Sequence, residues 1–357
     1  MLNWNGNKSR NEKNIMKVAV IDSSPEAGKV ICEKLEKMAG FLTSNYEIKD
    51  TVDFLERLRS NLPDVLVLDI EMSKLAGHEI LFEIIHYQTM PVIVTCSPTQ
   101  KGKLGVVQAM ELGAIDFITK PSTYFPKYLD DFLPLLIQKL NIANKINISA
   151  LRFITENKIK FNIPTSNRDL KKDLLALAVD NVALESFRRL VMAMPHNFPC
   201  VLAVLNLPAG YTKLFADRLN EIARVSVREA HEKDKIERGT VLIAPGDFHM
   251  KVNSTDGEPF IELSLSEKVN NRRPSADVTM MSIAEHIGKR SIGVLLSGYG
   301  EDGVIGLKSM KMSGAETIVI DPDTAILNAR LIKAIDIDSH THIVKFKDFP
   351  KLLTEFF

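Results

Sequence analysis

The sequence has few cysteines and no net charge, and each of these two properties excludes a class of protein. Only three cysteines, Cys32, Cys96 and Cys200, occur in 357 residues. Because they are far apart and odd in number, they argue against a disulfide framework and indicate a reducing compartment. Lysine plus arginine and aspartate plus glutamate each total 45, so the formal net charge is zero. A strongly basic nucleic-acid coat and an acidic solvating tail are therefore excluded, and we expect no nucleic-acid partner.

Long apolar runs and the common metal and nucleotide motifs are also missing. No apolar run approaches the ~20 residues that cross a bilayer. The N-terminus has neither the apolar core nor the cleavage site of a secretory signal. The cysteines form no CxxC pair, and no Walker-type phosphate loop is present. We therefore expect a cytoplasmic protein that does not insert into membranes.

The chain divides into four segments of different composition, and two of these suggest folded domains. The length also suggests two domains, at roughly 150 residues per domain. Residues 1–16 are polar and asparagine-rich, which predicts a disordered tail; Met16 is a possible alternative start. In residues 17–139 and again in 173–357, runs of valine, isoleucine and leucine alternate with helical spacings. This alternation indicates buried parallel strands in βαβ order, and hence an α/β fold with two sheets. The stretch 140–172 between them is rich in asparagine and lysine and is predicted to be a linker.

Polar side chains end the predicted strands of the first domain. Asp22, Asp69 and Thr95 each stand at the end of an apolar run, and Lys120 follows another. Because the carboxyl ends of parallel strands meet at one edge of a sheet, these four side chains are expected to lie together. Two carboxylates, a hydroxyl and an ammonium suit a phosphoryl acceptor, in which one aspartate attacks phosphorus and the others bind Mg²⁺ and phosphoryl oxygens.

Residues 17–139 resemble the receiver domain of two-component response regulators. The matching stretches are IDSSP, LDIEMSKLAGHEIL, PVIVTCSP and GAIDFITKPS. The resemblance implies a flavodoxin-like, five-stranded parallel sheet and a histidine kinase of a chemotaxis system as the phosphodonor. It also implies Asp69 as the phosphorylation site, Thr95 as the switch hydroxyl and Lys120 as the phosphate-sensing ammonium, with Mg²⁺ held by Asp22 and Asp69. Receivers usually carry two adjacent acids after the first strand, whereas Ser23 takes the second place here, which predicts weakened Mg²⁺ binding.

The second domain resembles the methylesterase domain of the CheB type, which acts on chemoreceptors. The stretches that carry this resemblance are LPAGYTKLFADRLNEIARVSVREA, APGDFHM, RRPSADV and GYGEDG, in that order. The family hydrolyses glutamate methyl esters on the cytoplasmic helices of chemoreceptors and deamidates some of their glutamines. The resemblance implies a doubly wound, mostly parallel α/β domain at 173–357, a Ser–His–Asp triad, and no cofactor in this domain. In the family the unphosphorylated receiver blocks the esterase cleft.

Two of the three triad positions carry other residues in this sequence. Asp180 stands at the nucleophile position, Asn206 at the general-base position and Asp302 at the position of the triad acid. Asparagine has no titratable nitrogen, so Asn206 cannot act as a base near neutral pH. Loss of the nucleophile of such a triad typically costs ~10⁶-fold in kcat. We therefore expect the ester chemistry to be absent.

Three hypotheses follow from these residues. The first is a catalytically inactive, phosphorylation-tunable binding module for receptors or signalling partners. The second is an active methylesterase or glutaminase with a rearranged site, in which a base stands within about 3 Å of a nucleophile. The third is a different enzyme that uses Asp180 and Asp302 as paired carboxylates. The histidines, including His249, are expected at the surface or behind the site, and Ser275 and Asp277 are expected to support the site or cap a helix.

Overall fold

A computed structural model of the chain describes residues 15–48, 51–72, 77–121, 127, 129–156, 163 and 172–357. The predicted tail at 1–16 lies almost wholly outside the described residues, and so does much of the predicted linker at 140–172. The described part of that linker contains the end of one helix and a second, shorter helix.

The first domain is a parallel sheet covered by helices on both faces. Its strands are β1 (Lys17–Ile21), β2 (Leu42–Asn45), β3 (Val65–Asp69), β4 (Val92–Cys96) and β5 (Asp116–Thr119). The strand order is β2-β1-β3-β4-β5, and every neighbouring pair is parallel. Its helices are α1 (Pro25–Ala39), α2 (Thr51–Ser60), α3 (Gly77–Tyr87), α4 (Gln100–Leu112) and α5 (Leu129–Ala143), and α6 (Ile148–Thr155) follows them. The five-stranded parallel sheet expected for this domain is confirmed.

Local sequence explains why these elements form where they do. All five residues of β3 and of β4 are buried, as expected for strands that have helices on both faces. Helix α1 begins after Ser24, whose hydroxyl accepts a hydrogen bond from the Ala27 N–H at 3.3 Å. The same helix ends at Gly40 in the left-handed conformation, with φ of 66°, where glycine carries no steric penalty.

The second domain contains a larger parallel sheet and a separate hairpin. Its strands are β6 (Leu174–Val179), β7 (Cys200–Leu205), β8 (Ser226–Glu229), β9 (Thr240–Ile243), β10 (His249–Thr255), β11 (Glu258–Ser264), β12 (Ser291–Leu295), β13 (Glu316–Ile320) and β14 (His342–Val344). Seven of them form one parallel sheet in the order β14-β13-β12-β6-β7-β9-β8, while β10 and β11 pair with each other antiparallel. The helices are α7 (Leu184–Ala193), α8 (Tyr211–Ile222), α9 (Ala276–His286), α10 (Val304–Met312), α11 (Ala329–Asp336) and α12 (Phe349–Phe356).

The doubly wound, mostly parallel α/β architecture expected for this domain is also confirmed. Strands β8 and β14 and the β10–β11 hairpin have no counterpart in the sequence-based prediction. They are short or only half-buried, so they lack the continuous apolar run that reveals a central strand. None of the helices in the described part of the chain has the length and apolar character needed to cross a membrane.

Helix α4 and strand β5 of the first domain pack against the second domain. The hydroxyl of Tyr211 lies 2.7 Å from Oγ1 of Thr119, and the Tyr211 ring packs on Phe117 with 4.9 Å between ring centroids. Nearby, Nδ2 of Asn181 donates to Oδ1 of Asp116 at 2.8 Å. The first domain therefore lies directly over the end of β6, because Asn181 follows that strand by only two residues.

A bidentate ion pair closes the same interface. Nη2 and Nε of Arg218 on α8 donate to the two carboxylate oxygens of Glu111 on α4, at 2.7 and 2.9 Å. Two parallel hydrogen bonds fix the orientation of both side chains as well as their distance. This pair therefore fixes the position of α8 relative to α4.

We expect Arg218→Glu to loosen this interface, because two carboxylates then face each other. Opening of the interface should increase roughly fivefold, a change of about 1 kcal/mol for a partly exposed pair. Hydrogen–deuterium exchange of α4 and α8 measures this opening. Lys213→Glu is the matched control, because Lys213 lies on the same helix and pairs within it with Asp217. Restored protection in the charge-swapped Glu111→Arg/Arg218→Glu protein completes the test, and unchanged exchange in Arg218→Glu contradicts the prediction.

Candidate functional site

The ends of β1, β3 and β5 bring together three of the residues predicted for phosphoryl chemistry. Nζ of Lys120 lies 2.7 Å from Oδ2 of Asp22 and 2.9 Å from Oδ2 of Asp69. Thr95 is paired with Asp69 in the register of β3 and β4, and both residues are only 2% exposed. The structure therefore places all four predicted residues at one edge of the sheet, as parallel pairing requires.

Ser23 occupies the place beside Asp22 where a second acid is usual, and it contacts Asp69 directly. Its hydroxyl donates to Oδ2 of Asp69 at 2.5 Å. Burial raises the pKa of Asp69, but the Lys120 ammonium and the hydrogen bond from Ser23 more than offset it, so this pKa lies below the usual range for aspartate. Burial lowers the pKa of Lys120, yet Asp69 and Asp22 together hold it above the ordinary value. Asp69 is therefore an ionised carboxylate, and Lys120 is its counter-charge.

The donor set at this edge suits a Mg²⁺ ion of the kind that receivers use. Asp22 and Asp69 supply two carboxylates, and Mg²⁺ is usually bound through one or two carboxylates and several waters. Among the described residues, no group of three or more acidic, histidine or cysteine side chains is placed so that it could hold a metal ion. Asp22 and Asp69 are therefore the residues that would hold the ion, with the Ser23 hydroxyl as a neutral neighbour.

Glu71, which sequence reasoning missed, connects the Asp69 carboxylate to helix α4. Its backbone N–H donates to Oδ1 of Asp69 at 3.0 Å, and its carboxylate accepts hydrogen bonds from the backbone and the hydroxyl of Ser97. The Ser97 hydroxyl lies 2.8 Å from Oγ1 of Thr99, which caps α4 by accepting from the N–H of Gly102. The only signal in the sequence is an acid two residues after the phospho-acceptor position.

At the second sheet, Asp180 follows β6 and is 6% exposed. Its Oδ1 accepts from the backbone of Asn181 at 2.8 Å. Its Oδ2 accepts from both terminal nitrogens of Arg272 and from the backbone of Tyr299, each at 3.4 Å. Within the described residues, none of the hydrogen-bond partners of Asp180 is a histidine or a glutamate. Every described partner of the Asp180 carboxylate, which stands at the predicted nucleophile position, is thus a hydrogen-bond donor, and none of them is a base.

Asn206 lies beside Asp180 at the end of the neighbouring strand, where its backbone N–H donates to the carbonyl of Val179 at 3.2 Å. Asn206 lines a cleft that Arg272 also lines. The structure therefore brings the predicted nucleophile and base positions to the same sheet edge. The residues found there are an acid and an amide.

Asp302 has a different set of partners. It accepts from the Ser275 hydroxyl at 2.5 Å, from the backbone of Ala276 at 2.8 Å and from the backbone of Asp277 at 3.3 Å. A fourth donor is Nδ2 of Asn270, at 3.4 Å. Ser275 precedes α9 without capping it through its own hydroxyl, because Asp302 accepts the N–H groups at the start of that helix. Asp302 and Asp180 are both buried, but separate sets of donors satisfy them.

His249 is fully buried, which excludes the surface position, one of the two alternatives expected for it. Its Nδ1 accepts from the backbone of Ser275 at 3.2 Å, so Nε2 carries the proton and donates to the carbonyl of Glu267 at 3.0 Å. The ring supports the segment that leads into α9. The alternative expected for this histidine, a place behind the site, agrees with these contacts.

Arg330 is a second residue that sequence reasoning missed. It is 1% exposed, and its guanidinium donates to the carbonyls of Leu296 at 3.0 Å and Ser297 at 3.2 Å, with longer bonds to those of Asp302 and Ala178. Burial lowers its pKa, although Asp180 and Asp302 oppose that shift. A Cβ on Gly298 would lie only 2.4 Å from Nη2 of Arg330, so glycine is required above it. Arg330 thus ties together the ends of β6 and β12 beneath the site.

These features define a class: a receiver domain joined to a parallel α/β effector domain, as in response regulators. Residues 18–124 match the response regulator receiver domain family, and residues 181–353 match the CheB methylesterase family. A "Protein-glutamate methylesterase/protein-glutamine glutaminase" of Sulfurimonas denitrificans is 34% identical over 321 residues, which cover 87% of this chain and 90% of that protein. The protein of the same name from Pyrococcus horikoshii is 30% identical over 349 residues, covering 95% and 93%. The chain therefore belongs to the CheB family of two-domain proteins.

Solved structures agree with the fold of the second domain. The CheB methylesterase catalytic domain of Thermotoga maritima is 29% identical in sequence, with a TM-score of 0.50. The match covers 52% of this chain and 99% of that structure. The seven-stranded parallel sheet is therefore shared with a known methylesterase domain.

We expect Asp302→Asn to destabilise the second domain, because an amide nitrogen replaces one of the oxygens that face backbone N–H donors. The loss of a buried, charge-assisted acceptor should cost about 2–4 kcal/mol of unfolding free energy. Chemical denaturation followed by circular dichroism measures the change. Glu301→Gln is the control in the same loop, since Glu301 is exposed. An unchanged denaturation midpoint for Asp302→Asn would show that Asp302 does not have this structural role.

Proposed function

We propose that this protein is a chemotaxis response regulator of the CheB family that no longer hydrolyses esters and acts as a phosphorylation-tunable binding module. The observation that carries the proposal is the bonding of Asp180. The residue at the nucleophile position accepts hydrogen bonds from Arg272 and the backbone, and its described partners include no base. Nucleophile and base must lie within hydrogen-bond reach for acyl transfer, so the arrangement opposes that reaction.

Three further features support the loss of ester hydrolysis. Asn206 has no proton-accepting nitrogen to replace the base. The Asp302 carboxylate is committed to α9 and Ser275 and does not orient an imidazole. An attacking carboxylate would also form an anhydride-like intermediate that needs an activated water, and no group bonded to Asp180 supplies one. The frame of the domain is retained while the groups needed for chemistry are absent.

The receiver supplies the switch in this proposal. The phosphodonor is the phosphohistidine of a histidine kinase of the chemotaxis system. An oxygen of Asp69 attacks its phosphorus, the P–N bond breaks, and the histidine imidazole leaves. Asp22 and Asp69 would hold the Mg²⁺ ion, which would supply positive charge to offset the charge of the transferred phosphoryl group. Ser23 and Lys120 would then move their hydrogen bonds from Oδ2 of Asp69 to phosphoryl oxygens. Because Glu71 links Asp69 to the start of α4, this rearrangement reaches the helix that packs on the second domain.

The binding partner in this proposal is a cytoplasmic helix of a chemoreceptor. The interface of α4 and β5 with Tyr211 and Asn181 covers part of the strand ends at which Asp180 lies. Loosening of this interface on phosphorylation would expose a docking surface. This is a two-state packing change of the kind that switches signalling domains.

A second candidate function is supported by the relatives. Both relatives described above are named as methylesterases and glutaminases, and they match nearly the whole chain. An active enzyme would need a base other than Asn206 to approach a nucleophile after the domains separate. The methanol test described next distinguishes the two functions.

We expect no methanol release from methylated chemoreceptor membranes above the buffer rate. The full chain is assayed unmodified, after treatment with acetyl phosphate, and as the Arg218→Glu variant, in which the covering receiver is loosened. A methylesterase with an intact triad is the positive control. Methanol release that disappears on Asp180→Ala would overturn the proposed inactivity and establish the second candidate.

We expect Ser23→Asp to speed phosphorylation of Asp69, because it adds a second acid for Mg²⁺ and removes a hydrogen bond from the acceptor oxygen. A gain of roughly tenfold corresponds to about 1.4 kcal/mol of added metal binding. Incorporation of labelled phosphate from acetyl phosphate measures the rate. Ser24→Asp is the matched control, since aspartate also caps a helix well. Labelling that persists in Asp69→Ala would place the modification elsewhere.

A further inference from the structure

A cleft at the carboxyl ends of the second sheet has an unusual lining for a site related to ester hydrolysis. Its volume is about 160 Å³. Apolar and amide groups of the segment 205–208, Asn206 among them, form one wall. The rest of the lining comes from a second segment, with Lys268, Asn271 and the three consecutive residues Arg272, Arg273 and Pro274. The lining thus contains three cationic side chains and no acidic one among the described residues.

The local backbone holds the cationic wall in place. Val269 and Arg272 exchange backbone hydrogen bonds of 2.9 and 3.1 Å, and the two residues between them have positive φ angles of 53° and 58°. These are the angles of a two-residue type I′ hairpin turn, which asparagine tolerates well. Asn270 in this turn donates to Oδ2 of Asp277 at 2.8 Å. The turn is therefore anchored to the start of α9, and Arg272 leaves it in a defined direction.

The two arginines are held by carbonyl groups. Nη1 of Arg273 donates to the carbonyls of Leu265 at 2.8 Å and Ser266 at 2.9 Å. Arg272 reaches the carbonyl of Tyr299 and the Asp180 carboxylate, each at 3.4 Å. A guanidinium that is already oriented loses little conformational freedom when it binds an anion, and its remaining donors match the planar carboxylate.

The charges around the cleft do not cancel. Among the described residues, Asp180 is the one acid that pairs with a lining cation. That cation is Arg272, and both distances, 3.4 Å, are at the long end of the hydrogen-bond range. Lys268 is exposed and takes part in none of the ion pairs found among the described residues. Three positive charges thus face one negative charge, which favours an anionic ligand by charge complementarity.

We propose that this cleft is a carboxylate-binding site. It recognises the ionised side chain of a glutamate or a small free dicarboxylate, through Lys268 and the Arg272–Arg273 pair, and it rejects the neutral methyl ester. The Asn206 amide offers the carboxylate a neutral donor from the other wall. This inference rests on the proposed function, because an inactive binding module needs a ligand chemistry of its own.

The site would distinguish the acid from the ester because the ester leaves the cationic side chains without a charged partner. A carboxylate supplies charge and two acceptor oxygens to the cations, whereas a methyl ester brings no charge and a methyl group. The difference of one charge-assisted interaction is worth about tenfold in affinity or more. The module would therefore distinguish demethylated from methylated glutamate by affinity and not by reaction.

Isothermal titration calorimetry of the full chain tests this proposal. The probes are a helical peptide with one central glutamate and no other acid, the same peptide as its γ-methyl ester, and the free acids and esters glutarate and dimethyl glutarate. We expect the acid forms to bind at least about tenfold more tightly than the esters. The affinity for acids should fall between about 0.02 M and about 0.3 M sodium chloride, because salt screens the charges. Preference for the peptide or for glutarate identifies the source of the carboxylate.

Substitutions at two residues of the cleft locate the binding. Lys268→Gln should weaken acid binding about tenfold without disturbing the packing, because Lys268 is exposed. Lys351→Gln is the matched control, an equal change of charge at an exposed position on α12, and should leave binding unchanged. Arg272→Lys, which keeps the charge and loses the planar fork, should weaken acid binding less than Arg272→Gln.

Three outcomes separate the two proposals. Equal affinity for acid and ester, or no binding of either, overturns the carboxylate site and leaves the proposed function standing. Acid binding that is unchanged in Lys268→Gln and Arg272→Gln also overturns it. Methanol release from the ester peptide in the calorimeter cell overturns the proposed function itself.

Discussion

Parallel pairing of buried strands is the constraint on which both sites of this protein depend. All strands of a parallel sheet end at the same edge, so residues far apart in the chain converge there. Asp22, Asp69 and Lys120 meet at the edge of the first sheet, and Asp180 and Asn206 meet at the edge of the second. Helices cover both faces of each sheet and exclude water from it. A buried polar group at a strand end therefore needs a hydrogen-bond partner within the protein.

The charged and hydrogen-bonding partners of each buried carboxylate determine its chemical role. Burying a charge is costly unless it is paired or well hydrogen-bonded. Asp69 is paired with a lysine that can also reach a phosphoryl group, so its environment suits a reactive acceptor. Asp180 is paired with Arg272 and two backbone donors, and Asp302 with a serine and a helix N-terminus. These two acids are satisfied by structural donors, and so the same residue type serves different purposes in the two domains.

The interface between the domains joins the two sites. Helix α4 is capped through a chain of hydrogen bonds that starts at Asp69, and the same helix pairs with Arg218 of the second domain. Strand β5 of the same domain contacts Asn181, the residue next to Asp180. Beyond that covered edge, the cationic cleft presents charges that an ionised ligand can satisfy. In the proposed function, the phosphorylation site, the interface and the ligand cleft are connected by these contacts.

Much of this organisation is determined by the sequence alone. The apolar runs that end at Asp69 and Val179 reveal both parallel sheets, because strands buried on both faces must be continuously apolar. The positions of Asp22, Thr95 and Lys120 at strand ends reveal the first site for the same reason. Short or half-buried strands such as β14 escaped prediction, since they lack that apolar signal. Only the tertiary structure decided that Arg272 neutralises Asp180, that Asp302 caps α9 and that Glu71 reaches Ser97. These contacts join residues from distant parts of the chain, and no local pattern encodes which donor a buried carboxylate will meet once the strands and loops are packed.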